Sequence, residues 1–196
     1  SYKYRAFITY AHKDEERAKW LRQKLEAFRV PKHLIGTNGD FGEVPARLFP
    51  IFRDRDELAG AAQLGPLIEQ ALDDSSHLIV LCSPQAVRSR WVNEEIRMFK
   101  SMGKADRVLC LVLSGNPMVE DLDGDTDNEC IPLAARREVD AEGAITDQKH
   151  EPAAADLRET SDGEKDALLK IVAGLLGLGL DDLKQRDLLA RQKRLA

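Results

Sequence analysis

The stretch Ser89–Ile96, SRWVNEEI, sets an aromatic plate and carboxylates at a spacing that can do chemistry. Trp91 and Glu95 are four residues apart, which on a helix puts both on one face. Glu94 is adjacent but turned away by about 100°. The Trp91/Glu95 face lies about 100° from the Val92/Ile96/Phe99 stripe, which reads as core-facing. An indole beside a carboxylate suits a nucleoside: the ring stacks on a base and the carboxylate accepts hydrogen bonds from ribose hydroxyls. The spacing leaves a second reading open, a Trp packed on the helix flank with Glu95 in solvent. The other unusual segment is Arg53–Gly65, RDRDELAGAAQLG. It opens on alternating charges, continues in small residues, and is longer than an ordinary strand–helix connection. It is expected to be a functional loop, with a solvated connector as the alternative.

Other chemistries lack their signatures. The sequence holds no P-loop, no GxGxxG and no nucleophile elbow. His12 and His77 have no Ser or Cys triad partners in view, and His77 reads as a residue packed at the start of a strand. The cysteines, Cys82, Cys110 and Cys130, are odd in number. Two of them lie in apolar, strand-like runs, so they read as small buried hydrophobes of a reducing compartment rather than a disulfide framework. Without a CxxC pair or a His-rich cluster, no metal site is expected. The start, SYKYRAF, is unlike a signal peptide, and the expected location is the cytoplasm.

The chain has 196 residues, 43% of them hydrophobic, with 29 Lys+Arg against 34 Asp+Glu and a net charge of -5. No run of 18 apolar residues is present, so the chain is expected to be a soluble globular domain that does not enter a membrane. Residues 116–167 hold 5 basic and 16 acidic residues, whereas the segments on either side are each net positive. This acidic stretch reads as a solvated surface excursion. No basic stripe of the nucleic-acid-binding kind exists.

Chemistry needs elements to hold it in place. Tyr4–Tyr10 reads as a strand, followed by a helix over Asp14–Phe28 with Asp14 at its cap. Arg47–Phe52 reads as a second strand, placed at a sheet edge by Pro50. A helix marked by Leu64, Leu67, Ile68, Ala71 and Leu72 follows. His77–Cys82 is apolar throughout, as a central strand must be. Ser83-Pro84 starts another helix, Ser as cap and Pro in the first turn, with Val92, Ile96, Phe99 and Met102 as its buried stripe. Arg107–Leu113 is a fourth strand. A fifth is Ile131–Ala134 or Ala153–Leu157. Helices over Glu164–Leu176 and Leu180–Leu195 complete the chain. Strand–helix alternation with short connections implies a parallel sheet covered by helices on both faces. Residues 1–178 are expected to form one domain, with an acidic insertion at about 116–152. Residues 179–196 are expected to form an amphipathic helix that links to a further module.

Ligands of such sheets bind beyond the carboxyl ends of the strands. That rule selects Tyr10, Ala11 and His12 after strand one, Arg53 and its loop after strand two, Ser83 after strand three, and Gly115-Asn116 after strand four. Tyr10, Ala11, His12, Arg53, Ser83 and Trp91 are the candidate substrate contacts.

YRAFITYAHKDE, FRDRDEL and LIVLCSPQAVRSRWVNEEI together resemble bacterial Toll/interleukin receptor (TIR) domains over about residues 2–117. The resemblance implies an α/β, flavodoxin-like three-layer sandwich with a parallel sheet of order 2-1-3-4-5. It implies an NAD+ hydrolase or cyclase that cleaves the nicotinamide–ribose bond, in antiphage defence or signalling, with NAD+ as substrate and no cofactor. Glu95 matches the family's catalytic glutamate and Trp91 its aromatic partner. The strand-one loop, Tyr10, Ala11 and His12, matches the nucleotide pocket. Arg53–Gly65 matches the loop through which such domains self-associate or meet other TIR domains. The sequence lacks the Arg that relatives carry after the Tyr, and the RDRD run lacks the Pro-Gly pair of receptor-type loops. Two other functions remain open: a non-enzymatic TIR adaptor, and a nucleoside deoxyribosyltransferase-like enzyme.

Overall fold

The computed structural model describes residues 1–53, 64–118 and 126–195. Five strands form a parallel sheet: β1 (Tyr4–Thr9), β2 (Ile51–Arg53), β3 (Ser75–Cys82), β4 (Val108–Val112) and β5 (Ala153–Asp156). Their order across the sheet is β2-β1-β3-β4-β5, the flavodoxin-like 2-1-3-4-5 arrangement. Helices α1 (Glu15–Ala27), α2 (Leu64–Asp73), α3 (Pro84–Arg88), α4 (Arg90–Phe99), α5 (Leu133–Arg136), α6 (Gly163–Leu176) and α7 (Leu180–Leu195) surround it.

The strand sequences divide the core in two by simple alternation. Ala6 and Ile8 of β1, Ile79 and Leu81 of β3, and Leu109 and Leu111 of β4 pack with α1 and α6. Their neighbours Phe7, Leu78, Val80, Val108 and Cys110 pack with α2, α4 and α5 on the opposite face. A strand segment buried on both sides is apolar on both faces, which is why residues 78–82 of β3 and all of β4 carry no alternation of polarity.

Several boundaries differ from the sequence reading for identifiable reasons. The second strand spans Ile51–Arg53 rather than Arg47–Phe52; it is an edge strand, with Pro50 outside it, although the Pro50 carbonyl still accepts from Arg5 N at 2.9 Å. Asp14 does not cap α1 with its side chain. The helix after Ser83 is two helices: Ser83 Oγ accepts from Ala86 N at 3.1 Å, and Ser89 Oγ starts α4 by accepting from Val92 N at 3.3 Å. Of the two candidate fifth strands, Ala153–Asp156 pairs with β4, whereas Ala134 belongs to α5. Of the apolar residues that mark α2, Ile68, Ala71 and Leu72 are buried and Leu67 is exposed.

The acidic stretch is not merely a solvated excursion. Cys130, Ile131, Ala134 and Ala135 are buried in the α2–α5 layer, and an antiparallel hairpin pairs Arg137–Val139 with Ile145–Lys149. One row of side chains on α4 and the turn after it, at spacings of four and three, holds this segment. Asn93 Oδ1 accepts from Ala134 N at 3.2 Å, and Arg97 Nη1 donates to Gly143 O at 2.7 Å. Lys100 Nζ donates to Ala135 O at 3.1 Å, to Arg137 O at 2.8 Å and to His150 Nδ1 at 2.7 Å. Among the described residues, no helix is long and apolar enough to cross a membrane.

At the amino end of the sheet, His77 is fully buried in β3. Its Nδ1 lies 2.9 Å from Ser76 Oγ, and its ring meets Phe41 edge-on at 4.6 Å. Burial, with Arg107 and Lys104 nearby, drives its pKa from 6.5 down to about 3. The folded state thus holds His77 neutral while the unfolded chain takes up a proton below pH 6.5. The stability that depends on neutral His77 is complete above pH 6.5 and is lost progressively as pH falls toward 3. Its full size is on the order of 5 kcal/mol. Denaturant melts across that window should show the loss, and His77→Leu should flatten it relative to wild type; an unchanged slope would remove His77 as its source.

Candidate active site

The carboxyl end of the sheet is a rim tied together by polar side chains. Each tie joins strands that the backbone ladder alone would leave free beyond their last pair. Ser83 Oγ, already accepting from Ala86 N, donates its proton to Asp14 Oδ2 at 2.5 Å. One hydroxyl thereby joins the turn after β1 to the start of α3. Arg53, at the end of β2, is nearly fully buried, with Nη1 3.6 Å from Glu15 Oε1 on α1. Beyond β5, Arg158 grips Asp156 through Nε and Nη2 (3.0 and 2.7 Å) and donates from Nη1 to Gly115 O at 2.7 Å. The Arg158 guanidinium holds the Asp156 carboxyl below its ordinary range. Gly115 has φ +92°, and a Cβ there would come within 2.7 Å of both Asn128 O and Cys130 Cβ. Only glycine lets the chain pass this closely after β4.

The sequence-selected residues sit on this rim in different states. Tyr10 and Ala11 are buried, and their side chains point to opposite layers of the core. His12 is exposed, in the 3-10 turn His12–Asp14. Ser83 is fully buried with its single proton committed to Asp14. Of the Arg53–Gly65 loop, residues 54–63 lie outside the described residues.

Trp91 and Glu95 part company. Trp91, on the first turn of α4, is 60% exposed, while Glu95 is only 2% exposed. Glu95 was expected on a flank outside the apolar stripe; it is buried together with Val92, Ile96 and Phe99. The reason is the depth of the seat. α4 packs against β1 and β3 beneath it and against α2 and α5 at its sides, so its buried arc is wider than three apolar residues indicate. A buried carboxylate costs solvation, and such groups concentrate at functional sites.

Its neighbour Glu94 has the opposite fate. Glu94 pairs with Arg97 on the next turn, whose hydrogen bonds hold the Glu94 carboxyl below its ordinary range. Between the two functional candidates, Asn93 Nδ2 donates to Val87 O (3.2 Å) and Ser89 O (3.0 Å). This amide fixes the break between α3 and α4, and so fixes the turn that carries Trp91. Asp14 and Asn93 were missed as site-building residues. Asp14 has the signature of a helix cap, and its true partner is 69 positions away. Asn93 lies inside the motif, but nothing local marks an amide that satisfies a helix break.

Among the described residues, no group of three His, Cys, Asp or Glu is placed to hold a metal ion. The three cysteines are free and buried, and burial pushes the Cys130 thiol up to about 12.

A parallel five-stranded sheet of this order, with helices on both faces, is a flavodoxin-like arrangement that proteins of many functions share. The family model for the TIR-like domain of Thoeris protein ThsB matches residues 7–117, more than half of the chain, and the chain belongs to this family. It is also 30% identical to the NAD(+) hydrolase ApTIR of an Actinoplanes species, over 98% of the present chain. The chain spans 26% of that protein's length.

Removing the Ser83 hydroxyl should cost about 1–2 kcal/mol, the range for losing a helix cap. Because the same hydroxyl serves Asp14, Ser83→Ala and Asp14→Ala should be non-additive in a double-mutant cycle read by chemical denaturation. Strict additivity would mean the two side chains stand apart in solution.

Proposed function

We propose that this domain cleaves NAD+ at the nicotinamide–ribose bond, with Glu95 as the carboxylate that acts on the ribose. The observation that carries the reading is the burial of Glu95 on α4, in a chain of the TIR-like family that is 30% identical to a protein named as an NAD(+) hydrolase. Nicotinamide leaves as a neutral pyridine, so the step needs little help at the leaving group. The ribose develops oxocarbenium character as in glycoside cleavage, and one carboxylate in a dry site stabilises that charge and holds the ribose hydroxyls. Trp91 offers an exposed plate for a base or the nicotinamide ring. His12 is exposed where the rest of the dinucleotide would lie, and the buried Tyr10, Ala11, Arg53 and Ser83 would shape that surface from beneath. Capture by water gives ADP-ribose; capture by a group of the same molecule gives a cyclic product. No metal or cofactor is required by this chemistry. In the cytoplasm the activity would serve antiphage defence or signalling, through self-association at Arg53–Gly65 or contact with other TIR domains.

A second reading, a non-enzymatic module that binds other TIR domains, draws on exposed apolar side chains of the same layer, Trp91, Leu67 and Leu133. Nicotinamide release from NAD+ by the purified chain separates the two.

Glu95→Gln should lower release by about a hundred- to a thousandfold with the fold intact, whereas Glu94→Ala keeps most of it, because Glu94 serves Arg97. Trp91→Ala should act mainly through KM. A dead Glu94 variant beside an active Glu95 variant reverses the assignment.

Turnover per molecule should also climb with protein concentration if neighbouring copies complete the site. The alternating charges Arg53, Asp54, Arg55 and Asp56 suit a head-to-tail contact that does not close on itself. Replacing Asp54 and Asp56 by Ala should flatten the climb. Constant specific activity over a wide dilution series, in a chain that stays monomeric by light scattering, would sink this part of the proposal.

A further inference from the structure

Thr9 is the last residue of β1 and is entirely buried, and its Oγ1 makes no hydrogen bond. Among the described residues it is the one buried hydroxyl in that state. A hydroxyl sealed from water without a partner is destabilising, and valine would fill the same shape without that cost. Such an atom calls for an explanation.

The strand says where it points. Ile8 and Tyr10 pack with the α1/α6 layer, and Phe7 and Ala11 with the α2–α5 layer. Alternation therefore turns Thr9 toward the α2–α5 layer. That layer contains α4, which packs directly on β1 and carries Glu95, whose Oε2 is also closed to solvent. A hydroxyl donor and a carboxylate thus share one dry interlayer, at the carboxyl end of a strand that lies between β2 and β3.

We propose that Thr9 is a positioning residue for NAD+ cleavage: its hydroxyl is reserved for the Glu95 carboxylate and donates to it when Glu95 turns onto the bound ribose. The inference rests on the role given to Glu95 above. The bond holds the carboxylate ionised where water is absent, and it occupies one oxygen so that the other faces the ribose. The strand is too rigid to follow the substrate, so the donor stands at a constant height while Glu95 moves.

The test compares wild type, Thr9→Val and Thr9→Ser in the full chain, reading nicotinamide release, its pH profile and Tm. Thr9→Val should keep or raise Tm. Its kcat should fall about tenfold or more, with KM within about twofold, as for loss of one hydrogen bond to a charged group. The acid limb of kcat should move to higher pH, because a carboxylate without its donor is easier to protonate. Thr9→Ser should recover kcat to within about threefold of wild type, since it restores the donor. A Thr9→Val chain with wild-type kcat and an unmoved acid limb overturns the proposal. So does a Thr9→Val chain less stable than wild type, which would give the hydroxyl a structural partner. A wild-type chain that releases no nicotinamide at any concentration overturns the NAD+ reading, and this inference with it. An active wild type beside an unaffected Thr9→Val overturns this inference alone.

Discussion

A single hydroxyl organises the end of the sheet where the site lies. Ser83 follows the central strand directly, and its oxygen both opens α3 and reaches across to Asp14 beyond the neighbouring strand. Parallel strands are held to one another by their ladders only as far as the last paired residue. Past that point the connecting segments diverge unless side chains tie them. The hydrogen bond from Ser83 to Asp14 does this between β1 and β3, Arg53 with Glu15 does it at the β2 edge, and Arg158 with Gly115 does it between β4 and β5. Among the described residues, these ties preorganise the rim.

The same logic explains the helix that carries Glu95. Had the chain continued as one helix from Pro84, the direction of its second half would follow from the first. Instead Ser89 restarts it, and the Asn93 amide binds both sides of the break. The restarted helix can then sink between α2 and α5 deeply enough to bury a carboxylate. Its far side is held by the segment that is richest in acidic residues. That segment offers backbone carbonyls to Arg97 and Lys100, so its charge does not prevent it from serving as a wall of the core. Adjacent glutamates end in opposite environments because a turn of about 100° separates a side chain paired with Arg97 from one buried with Val92, Ile96 and Phe99.

Much of the architecture was legible in the sequence because it rests on local patterns. Continuous apolar runs mark β3 and β4, and the Ser-Pro pair marks the start of α3. These features depend on a residue's own shape and on its near neighbours. The fifth strand remained ambiguous because short apolar segments serve equally well as strand or helix, and only pairing with β4 distinguishes Ala153–Asp156 from the buried segment around Ala134. The hairpin at Arg137–Lys149 was hidden by its polar composition; its strands face solvent and carry no apolar alternation.

The sequence by itself determined the parallel sheet, its order through the resemblance it carries, and the placement of Trp91 and Glu95 four residues apart on α4. The elements and their faces follow from periodicities of two and 3.6 residues, which the backbone imposes whatever surrounds it, while the strand order rests on the resemblance alone. Tertiary structure alone decided that Trp91 stays in solvent while Glu95 is buried, that Asp14 serves Ser83 rather than its own helix, and that the Thr9 hydroxyl is left without a partner. Each of these depends on which atoms from distant parts of the chain exclude water from a side chain. Burial and hydrogen-bond partnership are properties of that enclosure, and residue spacing along one helix or strand does not contain them.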